Sequence, residues 1–185
     1  MQDYHDILAE VLIDEQTLQR RIKELAEEIN RDYAGQDLLL TCILRGALPF
    51  MVDLMRHITV PHALDCMAIS SYGAGARANT GNIRMTMDLQ TNIGGRNVLL
   101  IEDIVDSGHT LAHVLEMLQT RKPKSLRVCA LLDKEERREV VVPIHYRGFI
   151  IPNKFVFGYG LDLDEYYRNL PFIGVVDLEK YKPLF

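Results

Sequence analysis

The chain has little cysteine and no excess of positive charge, and no apolar run in it is long. Three cysteines stand among 185 residues, Cys42, Cys66 and Cys129, with no CxxC pair and no histidine cluster beside them. That excludes a disulfide framework and a thiolate-imidazole zinc site. Each cysteine lies in an apolar stretch that reads as a strand, so three buried, reduced thiols in a reducing compartment are expected. Lys and Arg number 21 against 26 Asp and Glu, a net charge of -5. Such a balance speaks against a dedicated nucleic-acid binder, whose phosphate contacts need a basic surface. No segment reaches the ~18 apolar residues that span a bilayer. The first ten residues carry Asp3, Asp6 and Glu10 where a secretory signal has a basic region and a long apolar core. No membrane partner and a cytoplasmic location are therefore expected. No linker, repeat or low-complexity segment breaks the sequence, which predicts a single domain over residues 1–185 with a core large enough to need neither disulfide nor structural metal.

What is present is alternation. Leu18, Ile22, Leu25 and Ile29 recur at helical spacing between Asp14, a candidate cap, and Gly35, a stop, which predicts a helix over residues 15–33. Leu38 to Leu44 is nearly all apolar, as in a strand buried on both faces, and helical spacing returns from Gly46 to Ile58. His62 to Ser70 reads as a strand. Ser71 to Asn82, with Gly73, Gly75 and Gly81, reads as an exposed loop, and Ile83 to Asp88 as a half-buried strand. Val98 to Ile101 is a buried strand that leads through an acidic pair into a helix over residues 110–121, closed by Pro123. Leu126 to Leu132 and Phe155 to Tyr159 complete the strands. Strands alternating with helices predict an α/β protein with a doubly wound, mostly parallel sheet, whose ligands bind beyond the carboxyl ends of the strands. The terminal segments are expected to form a small subdomain over that edge.

The segment richest in chemistry is Val98-Leu-Leu-Ile-Glu102-Asp103-Ile-Val-Asp106-Ser107-Gly108-His109-Thr110-Leu111. A buried strand delivers three carboxylates, and a turn of small residues then opens a helix. Such a turn offers backbone N–H groups, two hydroxyls and the positive end of the helix dipole to an anion such as phosphate. Taken alone, the same residues would also make an ordinary helix start capped by Asp106 or Ser107. The clustered acids argue for more, because like charges destabilise a site unless a cation or a polyhydroxylated ligand occupies it.

This segment resembles the signature of the type I phosphoribosyltransferases: two acids after an apolar run, then D-x-G-x-T. The resemblance implies that family's fold, with a small hood from the terminal segments and a flexible lid. It also implies that Glu102 and Asp103 hold the ribose hydroxyls of 5-phosphoribosyl 1-pyrophosphate, that Asp106, Ser107, Gly108, His109 and Thr110 wrap its 5'-phosphate, and that Asp106 serves as general base. His109 falls where the family varies, and its imidazole is not expected to be catalytic. Further segments are similar to the hypoxanthine-guanine branch. Leu44-Arg45-Gly46 matches the pyrophosphate loop and Ser71-Tyr72-Gly73 the start of the lid. Lys134, in Leu131-Leu132-Asp133-Lys134, matches the lysine that donates to the purine 6-oxo group. The run Asn153-Lys154-Phe155-Val156-Phe157-Gly158-Tyr159-Gly160-Leu161-Asp162 matches the base-stacking strand and metal-binding turn, and continues to Arg168. Phe155 would stack on the purine, the Val156 backbone would read its edge and Lys154 would border the pocket. Arg45 and Arg168 would hold pyrophosphate. Glu102, Asp103 and Asp162 would be the ligands of Mg2+. Acidic neighbours are expected to favour proton uptake by Asp106. Salvage of hypoxanthine or guanine by a homodimer or homotetramer is the implied activity. The alternatives are a xanthine-preferring enzyme and a non-catalytic nucleotide sensor that binds RNA.

Overall fold

Helical spacing of Leu18, Ile22, Leu25 and Ile29 puts four side chains on one stripe, and the structure buries all four completely. The computed structural model describes residues 2–71 and 83–183. In chain order the elements are α1 (Tyr4–Ile7), β1 (Leu8–Ile13), α2 (Glu15–Asp32), β2 (Leu38–Leu44), α3 (Leu48–Met55), β3 (His62–Ser71) and β4 (Ile83–Met87). There follow β5 (Asn97–Val105), α4 (His109–Gln119), β6 (Ser125–Asp133), a 3-10 turn (Glu135–Arg137), β7 (Tyr146–Ile150), β8 (Val156–Phe157) and β9 (Ile173–Val176). The Asp14 side chain caps α2 by accepting from the Thr17 N–H at 2.8 Å, which satisfies one of the donors a helix start leaves without a partner.

Six strands form the main sheet in the order β4-β3-β2-β5-β6-β7. All neighbours pair in parallel except β3 with β4. The central strands β2 and β5 are almost wholly buried, as strands covered on both faces must be. From β2 the chain first steps outward to β3 and later crosses to β5 on the other side. Their carboxyl ends therefore flank the point where winding reverses, the place where an open α/β sheet presents a crevice to ligands. A core of Leu18, Ile22, Leu25, Phe50 and Leu54 from α2 and α3 packs on one face of this sheet, and Leu111, Val114 and Leu118 of α4 belong to the core on the other.

The terminal segments meet in a second, three-stranded sheet of order β1-β9-β8, antiparallel throughout. This is the small subdomain expected from the chain ends. Its β1 and β9, with β7 and α1, had no individual counterpart in the sequence reading. Helix α3 starts at Leu48 rather than Gly46, because residues 45–47 form a turn. Strand β5 runs on to Val105, so Glu102 and Asp103 belong to the strand itself. The three cysteines are free, with Cys42 and Cys129 buried and Cys66 half-buried. Burial pushes the Cys42 and Cys129 thiols up, away from the thiolate. Among the described residues no helix is long and apolar enough to cross a membrane.

Candidate active site

At the carboxyl ends of β2 and β5 lies a cleft of about 240 Å³, lined by Leu44, Gly46, Glu102, Asp103, Asp106, Ser107, Gly108 and Thr110. Two turns build it. The first follows β2, where the Leu44–Arg45 peptide is cis. Gly46 faces the acidic strand so closely that a Cβ there would lie 1.7 Å from Asp103 Oδ2. Any side chain there would have to push that carboxylate aside.

The second turn joins β5 to α4. Gly108 adopts φ +92° and stands as the cap residue of α4, with no side chain capping the helix. The leading N–H groups are thus left to the cleft, an arrangement that suits an anion. A Cβ on Gly108 would meet the Val140 carbonyl at 2.5 Å. Thr110 lines the cleft, whereas His109 directs Nε2 to Glu139 at 3.0 Å.

Electrostatically the floor of the cleft is poised for a cation. Burial and the neighbouring Asp103 push Glu102 well above the ordinary carboxylate range. Burial also pushes Asp103 up to about 6, against the N–H of Ile104 and the charge of Arg168, which favour its ionised form. Such carboxyls become comfortable anions once a positive charge or several hydroxyl donors reach them. Hard oxygen donors of this type suit Mg2+. No three acid, imidazole or thiol side chains among the described residues are grouped to hold a metal unaided, so Glu102, Asp103 and Asp162 fit the ion only as a partial ligand set that substrate oxygens would complete.

Asp106 sits at the mouth with Arg137 Nε 3.0 Å from Oδ1 and Lys134 Nζ 3.6 Å from Oδ2. The charges that touch it are therefore cations, contrary to the expectation that acids surround it. Lys134 itself is buried, an expensive position for an ammonium group without a partner.

The basic side chains expected to grip pyrophosphate also converge. Arg45 Nη1 pairs with Glu165 Oε2 at 2.7 Å, and Arg168 Nη2 pairs with Asp162 Oδ1 at 2.8 Å and with Glu165 Oε2 at 3.1 Å. Asp162 Oδ2 accepts from the Glu165 N–H at 2.8 Å. Glu165 was missed in the sequence, where it is one acid in the run Asp162-Leu-Asp164-Glu165. Phe155 is 47% exposed and lines, with Asp162, Leu163 and Tyr181, a second hollow of about 640 Å³ on the hood. Val156 is buried at the start of β8. Lys154 turns to Glu10 of β1 instead of towards either hollow. Ser71 ends β3. Of the lid expected over Ser71 to Asn82, residues 72–82, Tyr72 among them, lie outside the described residues.

The model of the phosphoribosyl transferase domain matches residues 10–164. The bifunctional protein TilS/HprT of Listeria innocua is 44% identical over 177 residues, 96% of this chain and 27% of that protein. This chain therefore spans about a quarter of the length of that relative. The hypoxanthine phosphoribosyltransferase of Escherichia coli K12 is 48% identical over 171 residues, 91% of this chain and 96% of its own. A crystal structure of a hypoxanthine phosphoribosyltransferase from Staphylococcus aureus superposes with a TM-score of 0.92 at 42% identity, covering 97% of both chains. With the acidic strand, the small-residue turn and the sheet order in their places, the chain belongs to the phosphoribosyl transferase domain family.

Proposed function

We propose that the protein transfers the 5-phosphoribosyl group of 5-phosphoribosyl 1-pyrophosphate to a 6-oxopurine base, hypoxanthine or guanine, releasing pyrophosphate and the nucleoside monophosphate. The observation that carries this reading is the meeting, at one cleft, of the acids Glu102 and Asp103 with the Asp106–Thr110 turn, and the buried Lys134 that stands beside Asp106. The relatives' names support it.

The turn over residues 106–110 takes the 5'-phosphate through the N–H groups that open α4. Glu102 and Asp103 accept from the ribose hydroxyls, and ionised carboxylates are strong acceptors for them. Lys134 donates to the 6-oxo group, which a 6-amino purine cannot reciprocate, so adenine is a poor substrate. Asp106 takes or stabilises the proton of the attacking purine as general base. As the glycosidic bond to pyrophosphate lengthens, positive charge grows on the ribose ring, and the carboxylates of the cleft stabilise it. Arg45 and Arg168 receive the departing charge once they exchange Glu165 for phosphate oxygens. Mg2+, held by Glu102, Asp103 and Asp162 together with substrate oxygens, would supply further neutralisation of the pyrophosphate. Phe155 stacks on the base, and Val156 reads its edge through the backbone. The working form is a homodimer or homotetramer in the cytoplasm.

The test is nucleotide formation from 5-phosphoribosyl 1-pyrophosphate with hypoxanthine, guanine, xanthine, adenine and uracil, with and without Mg2+, on wild type and Asp106→Asn. Mg2+-dependent product with hypoxanthine or guanine, strongly reduced in Asp106→Asn, is expected. Product from no base would overturn the reading and favour a nucleotide sensor.

A further inference from the structure

Four successive residues from the end of the 3-10 turn, Arg137 to Val140, contact the phosphate turn from Asp106 to His109. Arg137 pairs with Asp106 at 3.0 Å. The N–H groups of Glu139 and Val140 both donate to the Ser107 carbonyl, at 2.9 and 3.0 Å. Glu139 holds His109 at 3.0 Å, and the Val140 carbonyl lies against Gly108. Between them Arg138 does two things at once. Its Cδ and Nη1 lie 3.2 and 3.3 Å from where a Gly108 Cβ would be, against the middle of the turn, while its Nη2 pairs with Asp133. Asp133 is the last residue of β6, directly before Lys134, and its side chain is 1% exposed. The Asp133 carboxylate is shared with Arg147 Nε of β7 at 3.0 Å, and Arg147 is steadied by Glu135 at 2.7 Å.

A carboxylate that deep is tolerated only with its cations in place, and breaking such a pair leaves an uncompensated charge. The forked guanidinium can hold a carboxylate with one nitrogen while another reaches the neighbouring backbone, which a single ammonium cannot do. We infer that Arg138 is a positioning residue: by tying Asp133 to Gly108 it locks the purine-pocket end of β6 and the phosphate turn into one rigid unit, so that Lys134 and the turn present a fixed separation to the substrates. This rests on the proposed function for the identity of the substrates. The design follows a general need, since a site of this kind works only when its supporting residues are themselves immobile.

The test is calorimetric titration of 5-phosphoribosyl 1-pyrophosphate with Mg2+ into wild type, Arg138→Gln and Arg138→Lys, with steady-state KM values for both substrates. Arg138→Gln should bind 5-phosphoribosyl 1-pyrophosphate on the order of tenfold more weakly and raise its KM by a similar factor, with a smaller change in the KM of the base. Arg138→Lys, which keeps the charge and loses the fork, should recover only part of that affinity. Wild-type affinity in a folded Arg138→Gln would overturn the inference, as would full recovery in Arg138→Lys, which would make the effect one of charge alone. If Arg138→Gln does not fold, Arg138→Lys decides: intermediate affinity supports the inference and wild-type affinity overturns it. A wild type that binds 5-phosphoribosyl 1-pyrophosphate but makes nucleotide from no base defeats the proposed function and leaves the binding comparison intact, whereas one that does not bind it defeats both.

Discussion

Two glycines in the cleft differ in what a methyl group would displace, and this separates catalysis from folding. At Gly46 the obstacle is the Asp103 carboxylate, 1.7 Å from the added Cβ, and a side chain can swing away. Gly46→Ala should leave the fold intact and cost about 10²-fold in kcat/KM by misplacing Asp103; steady-state kinetics beside Asp103→Asn, which should look alike, would check it. At Gly108 the obstacle is the Val140 backbone carbonyl at 2.5 Å, and φ is +92°. Gly108→Ala should therefore lower stability by roughly 1–3 kcal/mol as well as activity, measured by denaturant unfolding. Lys134 is buried and 3.6 Å from Asp106, and the proposed function gives it the 6-oxo group of the base. Lys134→Gln should raise the KM of the purine by about tenfold, the worth of one hydrogen bond from a charged donor, and leave the affinity for 5-phosphoribosyl 1-pyrophosphate near wild type by calorimetry.

Elements carry the site without touching it. Helix α2 reaches no ligand, and its cap at Asp14 is exposed and local. Asp14→Ala should cost about 1 kcal/mol in unfolding free energy and leave kcat and both KM values unchanged. At the other end of α2, Asp32 Oδ2 accepts from the Tyr146 hydroxyl at 2.7 Å and from Arg127 Nη1 at 2.8 Å, joining the helix to β7 and β6. The Tyr146 hydrogen bond and the Arg127 charge hold its carboxyl below the ordinary value of 3.8. A carboxyl lowered on folding stabilises the protein at pH above its unfolded value, and that contribution is lost as pH falls through the folded one. Urea unfolding of Asp32→Asn should thus show the same deficit against wild type at pH 7 and pH 5, shrinking at pH 3. A deficit that stayed constant to pH 3 would mean that the charge of Asp32 contributes nothing.

Across the whole molecule, two cores on opposite faces of one sheet leave the cleft at its carboxyl edge, and Phe155 and Asp162 line a second hollow on the hood. The alternation of apolar runs and helical stripes by itself determined the α/β class, a helix read over residues 15–33 and found over Glu15–Asp32, and the central strands, including the one that leads to Glu102 and Asp103. Each of these is local: the period of burial along one element is written in neighbouring residues. The short strands Leu8–Ile13 and Tyr146–Ile150 were not legible, because the first mixes Glu10 into an apolar stretch and the second is an edge strand with Arg147 and Gly148 inside it. Only the tertiary structure decided that Glu165 stands between Arg45 and Arg168, that Lys154 faces Glu10, that cations face Asp106, and that Arg138 lies on Gly108. Those pairings join residues far apart in sequence or bring loops back on themselves. A charged side chain in a loop looks the same whether it meets water or a partner, until the packing of the sheet brings that partner within reach.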